Sequence, residues 1–261
     1  MLTISKRGDE SLPPLVLLHG FLGNKRDWLR VLPQLSEHFH CICIDLPGHG
    51  GSYQTDLPVP GFDATSAMIM ETLKALGVDK FHLHGYSLGG RIALHFARDY
   101  PQHLLSLSLE SCHPGLLDEK EIAARKHNDS NWAERLITIE LEDFLKKWYL
   151  QPVFADLDDF SRLRLIQDRS ANKPMSLYNC FTATSLALQQ DLWRVPETLP
   201  FPCRYIVGKK DKKFSALAHQ WQQQVPFLEV HSVANAGHNV HLEASEAFCQ
   251  LLTQQAPGRM Q

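Results

Sequence analysis

Along the first 110 residues, short apolar runs closed by turn residues alternate with stretches whose apolar positions recur every three or four residues. Leu15-Val16-Leu17-Leu18 and Cys41-Ile42-Cys43-Ile44 are runs of the first kind, with the length and character of strands buried on both faces of a parallel sheet. Between them Trp28, Leu32, Leu35 and Phe39 keep helical spacing. The stretch from Ala67 to Leu76 has Met70, Leu73 and Leu76 on one helical face, and Gly77 ends it. Phe81-His82-Leu83-His84 alternates as a strand, Gly90 to Ala97 reads as a helix, and Leu104 to Leu109 reads as another strand. Strands alternating with helices predict a parallel sheet covered by helices on both faces.

The rhythm stops after His113-Pro114-Gly115. From there to about Val195 no strand-like run occurs; the segments are charged and helical in period, and Ile137, Leu141, Phe144, Leu145 and Trp148 mark one amphipathic helix. Strand-like runs return at Cys203 to Val207 and Leu228 to Val230, followed by a helix around Leu242 to Leu252. The pattern therefore predicts an α/β core made of residues 1–112 and 196–261, interrupted by a helical cap over residues 113–195. There are no internal repeats and no low-complexity segments.

Composition narrows the class without identifying it. A chain of 261 residues is long enough for one large α/β domain with an insertion. A 44% apolar and 21% charged composition is that of a soluble globular protein. The net charge of −3 argues against nucleic acid or an acidic membrane surface as partner. No apolar run approaches the roughly 20 residues that span a bilayer. Met1 to Glu10 is polar, and Leu15 to Leu18 is too short for a signal-peptide core. The six cysteines have no framework spacing, and Cys41 and Cys43 share one strand face as small hydrophobes. These features predict a reduced, cytoplasmic protein, either a monomer or a weak homo-oligomer.

The candidate chemistry begins at Gly85-Tyr86-Ser87-Leu88-Gly89, between a predicted strand and a predicted helix. A serine there occupies a sharp, strained turn at the carboxyl end of a sheet, and flanking glycines make room for the backbone. The hydroxyl needs an imidazole to take its proton, and the imidazole needs a carboxylate to fix its tautomer. Chain order supplies both. Asp211 follows the strand at Tyr205 to Val207, and His238 follows the next strand in Ala236-Gly237-His238-Asn239. Glu110, at the end of the strand before the cap, is a competing acid without the matching loop pattern.

His19-Gly20-Phe21, after the first apolar run, offers the backbone N–H of Phe21 as one oxyanion donor, with the N–H of Leu88 as the other. Asp45 to Ser52 reads as a tight structural turn. The pairs His82/His84 and His238/His241 bring no third ligand at metal spacing, and no dinucleotide fingerprint is present, so neither metal nor organic cofactor is expected. Lys209, Lys210, Lys212 and Lys213 read as a solvated loop face, with recruitment of an anionic substrate as the alternative.

On these residues the chain resembles the α/β-hydrolase superfamily. Within it, the chain is similar to the pyruvate-eliminating 2-succinyl-6-hydroxy-2,4-cyclohexadiene-1-carboxylate synthases of menaquinone biosynthesis. The narrower resemblance rests on Gly85 to Arg91, His113-Pro114-Gly115, Trp148-Tyr149 and Gln151-Pro152-Val153-Phe154, with Ala183 to Leu186 and Asp211 to Phe214. Ser111-Cys112 stands where glycines are expected before His113. The resemblance implies a lyase whose substrate, 2-succinyl-5-enolpyruvyl-6-hydroxy-3-cyclohexene-1-carboxylate, is a small tricarboxylate. It implies anion-binding roles for Arg91, Arg125 and Arg169 and pocket roles for Tyr86 and Trp148. Arginine suits the task, because its planar fork pairs with carboxylates. The competing functions are a carboxylesterase or carbon–carbon bond hydrolase using the same triad, and a catalytically idle binding protein on the same fold.

Overall fold

The computed structural model describes residues 1–254. Seven strands form one sheet in the order β1-β3-β2-β4-β5-β6-β7, with β1 Ile4–Arg7, β2 Pro14–Leu18, β3 His40–Ile44, β4 Phe81–Tyr86, β5 Leu104–Glu110, β6 Cys203–Gly208 and β7 Leu228–Val233. All neighbouring pairs are parallel except β1 with β3. Strands β3 and β4 are buried from end to end and β2 is buried except at Pro14, as strands covered on both faces must be. The pattern did not reveal β1. Its Ile-Ser-Lys-Arg is short, charged and only partly buried, and it is held by pairing with β3 rather than by burial.

Among the described residues, helices α1 Leu32–Leu35, α2 Phe62–Ala75 and α3 Leu88–Asp99 come before β5. Four more lie between β5 and β6: α4 Glu119–Thr138, α5 Leu141–Trp148, α6 Asp159–Arg169 and α7 Pro174–Ala183. The last three are α8 Lys212–Gln224, α9 Val240–Glu243 and α10 Ser245–Thr253. Gly77 follows α2 with φ of 72°, a conformation that favours glycine. The single helix expected across Ile137 to Trp148 is two. Backbone at Ile139 is extended and Glu140 is the N-cap position of α5, a break that follows Ile137-Thr138-Ile139, where three β-branched residues weaken helix. The helix expected over Leu242 to Leu252 is likewise divided, at Ala244.

Two apolar clusters pack against the two faces of the sheet. A third is built from α4 to α7, around Trp132, Phe144, Leu177 and Phe181, and takes in Leu22 from the loop after β2. Among the described residues no helix is long and apolar enough to cross a membrane. All six cysteines are free and buried.

Candidate active site

The loops after β2, β4, β6 and β7 meet at the carboxyl end of the sheet, and each carries one predicted group: Phe21, Ser87, Asp211 and His238. Ser87 has φ of 51°, strained for a residue with a Cβ. Close backbone packing holds it there. A Cβ on Gly85 would lie 2.3 Å from Gly89 O, and one on Gly89 would lie 2.2 Å from Leu18 O, so both positions must be glycine. The Ser87 N–H donates to Glu110 O at 2.8 Å. The N–H groups of Phe21 and Leu88 have no acceptor among the described residues, the state an oxyanion donor requires.

Asp211 caps α8, and its two oxygens divide their work. Oδ1 accepts the Phe214 N–H at 3.1 Å, and Oδ2 accepts His238 Nδ1 at 2.7 Å. Both residues are buried. The His238 ring lies against Phe214, Tyr86 and Phe154, the last from the helical segment. Its loop is fixed by two carboxylates. Glu243 accepts the N–H groups of Gly237 and Asn239 at 2.8 and 3.2 Å, and Glu110 accepts that of His241 at 3.1 Å. Among the described residues Ser87 Oγ makes no hydrogen bond to His238 Nε2; catalytic bonds of this kind commonly tighten only when substrate is bound.

Glu110 takes no part in that pair. It is fully buried, and its carboxylate accepts His241 Nδ1 at 2.8 and 3.0 Å while His84 Nε2 lies 3.4 Å away. Burial alone would raise its pKa, but the two histidines outweigh that and hold it near 2.

A cavity of about 100 Å³ opens on Ser87 and is lined by Phe21, Leu88, Arg91, Arg125, Trp148 and His113, among others. Arg91 donates to Thr184 O at 2.7 Å, and burial followed by the like charge of Arg125 lowers its pKa to about 10. Arg125 is paired with Asp129 at 2.7 Å, and Asp129 accepts Ser185 Oγ at 2.6 Å. His113 is kept neutral, its pKa pushed down to about 3 by burial and then by Lys213, Arg91 and Arg125. Trp148 forms a cavity wall and also packs on Phe21, Trp132 and Phe181.

Two expected substrate contacts lie elsewhere. Arg169 is buried in a two-pronged pair with Asp27, at 2.6 and 2.8 Å, and is not among the cavity-lining residues. Burial opposes its charge, but Asp27 and Tyr149 more than offset this. Tyr86 is also absent from the lining. Its hydroxyl donates to Asn239 Oδ1 and its ring is buried between His238 and His241. Sequence reasoning missed Phe154, Phe214 and Glu243 as supports of His238. The one local signal was Phe214, three residues beyond Asp211 at the spacing of a helix cap. Among the described residues no group of three or more His, Cys, Asp or Glu side chains has metal-site geometry.

A strained serine elbow, a buried aspartate–histidine pair and two N–H groups without an acceptor among the described residues, all near strand ends, have the arrangement expected of an α/β-hydrolase. Residues 15–251 match the alpha/beta hydrolase family, to which the chain belongs. More narrowly, it falls among the 2-succinyl-6-hydroxy-2,4-cyclohexadiene-1-carboxylate synthases. It is 41% identical over 250 residues to the one from Enterobacter sp. (strain 638), covering 96% of this chain and 94% of the relative. It is 42% identical to that of Salmonella agona (strain SL483), covering 95% of each. The structure of MenH from S. aureus superposes with a TM-score of 0.88 at 26% identity, over 97% of this chain and 96% of that one. The enol-lactonase from Burkholderia xenovorans LB400, at 15% identity and a TM-score of 0.81 over 97% of this chain and 95% of that one, shares the fold.

Proposed function

We propose that this chain eliminates pyruvate from 2-succinyl-5-enolpyruvyl-6-hydroxy-3-cyclohexene-1-carboxylate to give 2-succinyl-6-hydroxy-2,4-cyclohexadiene-1-carboxylate. The observation that carries this reading is that Arg91 and Arg125 open into the same small cavity as Ser87. A cavity for neutral esters has no use for two guanidinium groups, whereas a tricarboxylate does.

In this reading Asp211 orients His238 and stabilises its cationic form, and His238 draws the proton from Ser87. The serine oxygen, partly shielded from water, removes the ring proton α to the succinyl ketone. The electron pair forms a new ring double bond, the existing one shifts, and the bond to the enolpyruvyl oxygen breaks. The departing enolate takes a proton and becomes pyruvate. Charge developing on the ketone oxygen is held by the Phe21 and Leu88 N–H groups. The helical segment serves as the cap. The cavity of about 100 Å³ is below the roughly 300–1,000 Å³ usual for ligand sites, so the site must widen to admit substrate. The buried free thiols fit a cytoplasmic enzyme, acting on a small molecule as a monomer or weak homo-oligomer.

The test is to incubate the purified protein with the enolpyruvyl substrate and follow pyruvate. Stoichiometric release, lost in Ser87→Ala, supports the lyase. Release of no pyruvate alongside rapid ester hydrolysis returns the chain to the esterases.

A further inference from the structure

The loop carrying Phe21 is held by two histidines outside the triad. A backbone N–H only donates, so the Leu46 N–H, 3.0 Å from His19 Nε2, makes that nitrogen an acceptor. The Leu22 N–H, 3.1 Å from His49 Nε2, does the same for His49. Each ring therefore carries its proton on Nδ1. From there His19 donates to Gly20 O at 2.8 Å and His49 donates to Pro47 O at 3.0 Å.

Both rings are fully buried, with centroids 5.1 Å apart. Burial pushes both pKa values down, that of His49 to about 3. Asp27 and Asp45 face His19 and favour a second proton, and Arg169 opposes one. Two neutral imidazoles in defined tautomers result.

Gly20 O accepts a second bond, from the Gly23 N–H at 3.0 Å. Across a trans peptide the C=O and the following N–H point opposite ways. Anchoring Gly20 O on two donors therefore turns the Phe21 N–H away from them, and that N–H has no acceptor of its own among the described residues. On the far side of Phe21, Leu22 is held in a left-handed conformation, φ 69°, with its N–H on His49 and its carbonyl on Asn172 Nδ2 at 2.8 Å.

We propose that His19 is a positioning residue: its Nδ1–H, bonded to Gly20 O, aims the Phe21 N–H at the oxygen that becomes negative during the reaction. This rests on the reading of Phe21 as an oxyanion donor. The bond also polarises the peptide, which strengthens its N–H as a donor.

The test compares His19→Asn, whose amide still donates toward Gly20 O, with His19→Leu, which cannot, both in the full chain and both checked for folding by thermal melting. Loss of one aimed oxyanion donor lowers kcat by roughly a hundredfold or more. His19→Leu is therefore expected to lose that much with KM within about threefold, while His19→Asn keeps about a tenth of wild-type kcat or better. A packing role alone would lower both melting temperatures and leave kcat of the folded fraction intact. Wild-type kcat in His19→Leu, or equal loss in both variants, overturns the proposal.

A second arm needs no turnover and stands even if the wild type releases no pyruvate. In 15N spectra at about neutral pH the His19 ring is expected to carry its proton on Nδ1, with Nε2 bare. The Phe21 amide resonance is expected to move in His19→Leu and return toward its wild-type position in His19→Asn. A protonated Nε2, or a Phe21 amide that ignores both substitutions, also overturns it.

Discussion

Two carboxylate–histidine pairs stand at the carboxyl end of this sheet with nearly the same geometry. In each, Nδ1 meets a carboxylate oxygen, at 2.7 Å for His238 with Asp211 and 2.8 Å for His241 with Glu110, and all four residues are buried. Their surroundings differ. His238 stands in the loop after β7 against Phe214, which lines the Ser87 cavity. The His241 ring is wedged among Trp28, Tyr86 and Phe248, in the core. The Glu110 carboxylate also accepts the His241 N–H, while its main-chain oxygen accepts the Ser87 N–H. A short histidine–carboxylate contact therefore does not mark catalysis by itself. The surroundings separate the two: one ring stands against a residue of the Ser87 cavity, the other among core aromatic side chains.

Exchanging each acid for its amide separates the two roles. Asp211→Asn is expected to lower kcat by about 10⁴-fold with little change in stability, because the amide leaves the ring in the wrong tautomer. Glu110→Gln is expected to reverse that outcome. The amide cannot accept at both of its terminal atoms, so the buried His241 ring and N–H lose an acceptor. That loss costs about 1–3 kcal/mol of stability, read by urea unfolding, while the folded fraction keeps most of its kcat. Equal kinetic losses in the two variants would erase the distinction.

The arginines admit a similar separation. Arg91→Ala and Arg125→Ala are each expected to reduce kcat/KM by about 1.5–3 kcal/mol if a charged hydrogen bond to substrate is lost. Arg169 answers to Asp27, so Arg169→Ala and Asp27→Ala should be strongly non-additive in stability, and the double variant should be no worse than the poorer single one. Additive stabilities would assign Arg169 a different partner.

A further expected effect concerns pH. His82 bonds Ser106 Oγ, and burial lowers its pKa from 6.5 to about 4. The unfolded chain therefore binds a proton in that window that the folded chain does not, and stability falls as pH falls from 6.5 toward 4. The slope is about 1.4 kcal/mol per pH unit for this histidine. His82→Gln should flatten the pH dependence of unfolding by that amount. For Glu110, held near 2 against an ordinary 4.5, the contribution is present above 4.5 and lost as pH falls toward 2.

Local pattern made the alternation of strands and helices legible, and chain order made Ser87, Asp211 and His238 legible as a set, because both are written in neighbouring residues. Strand β1 was hidden, since Ile4 to Arg7 has no periodicity and is specified by its pairing with Ile44 to Cys41. The partner of Arg169 was hidden for the same kind of reason, as Asp27 lies 142 positions away. So was the duty of His49, whose Nε2 holds a peptide 27 positions earlier. An arginine in sequence shows the charge it carries; only the fold shows which carboxylate takes it.

The central claim is that Ser87 acts through proton abstraction in an arginine-lined cavity, with no acyl-enzyme. Rapid-quench intact-mass measurement during turnover of the enolpyruvyl substrate tests it most directly. The account predicts that pyruvate accumulates while the protein mass stays unmodified at every time point. A substrate-derived mass on Ser87 that forms and decays at the turnover rate would contradict it.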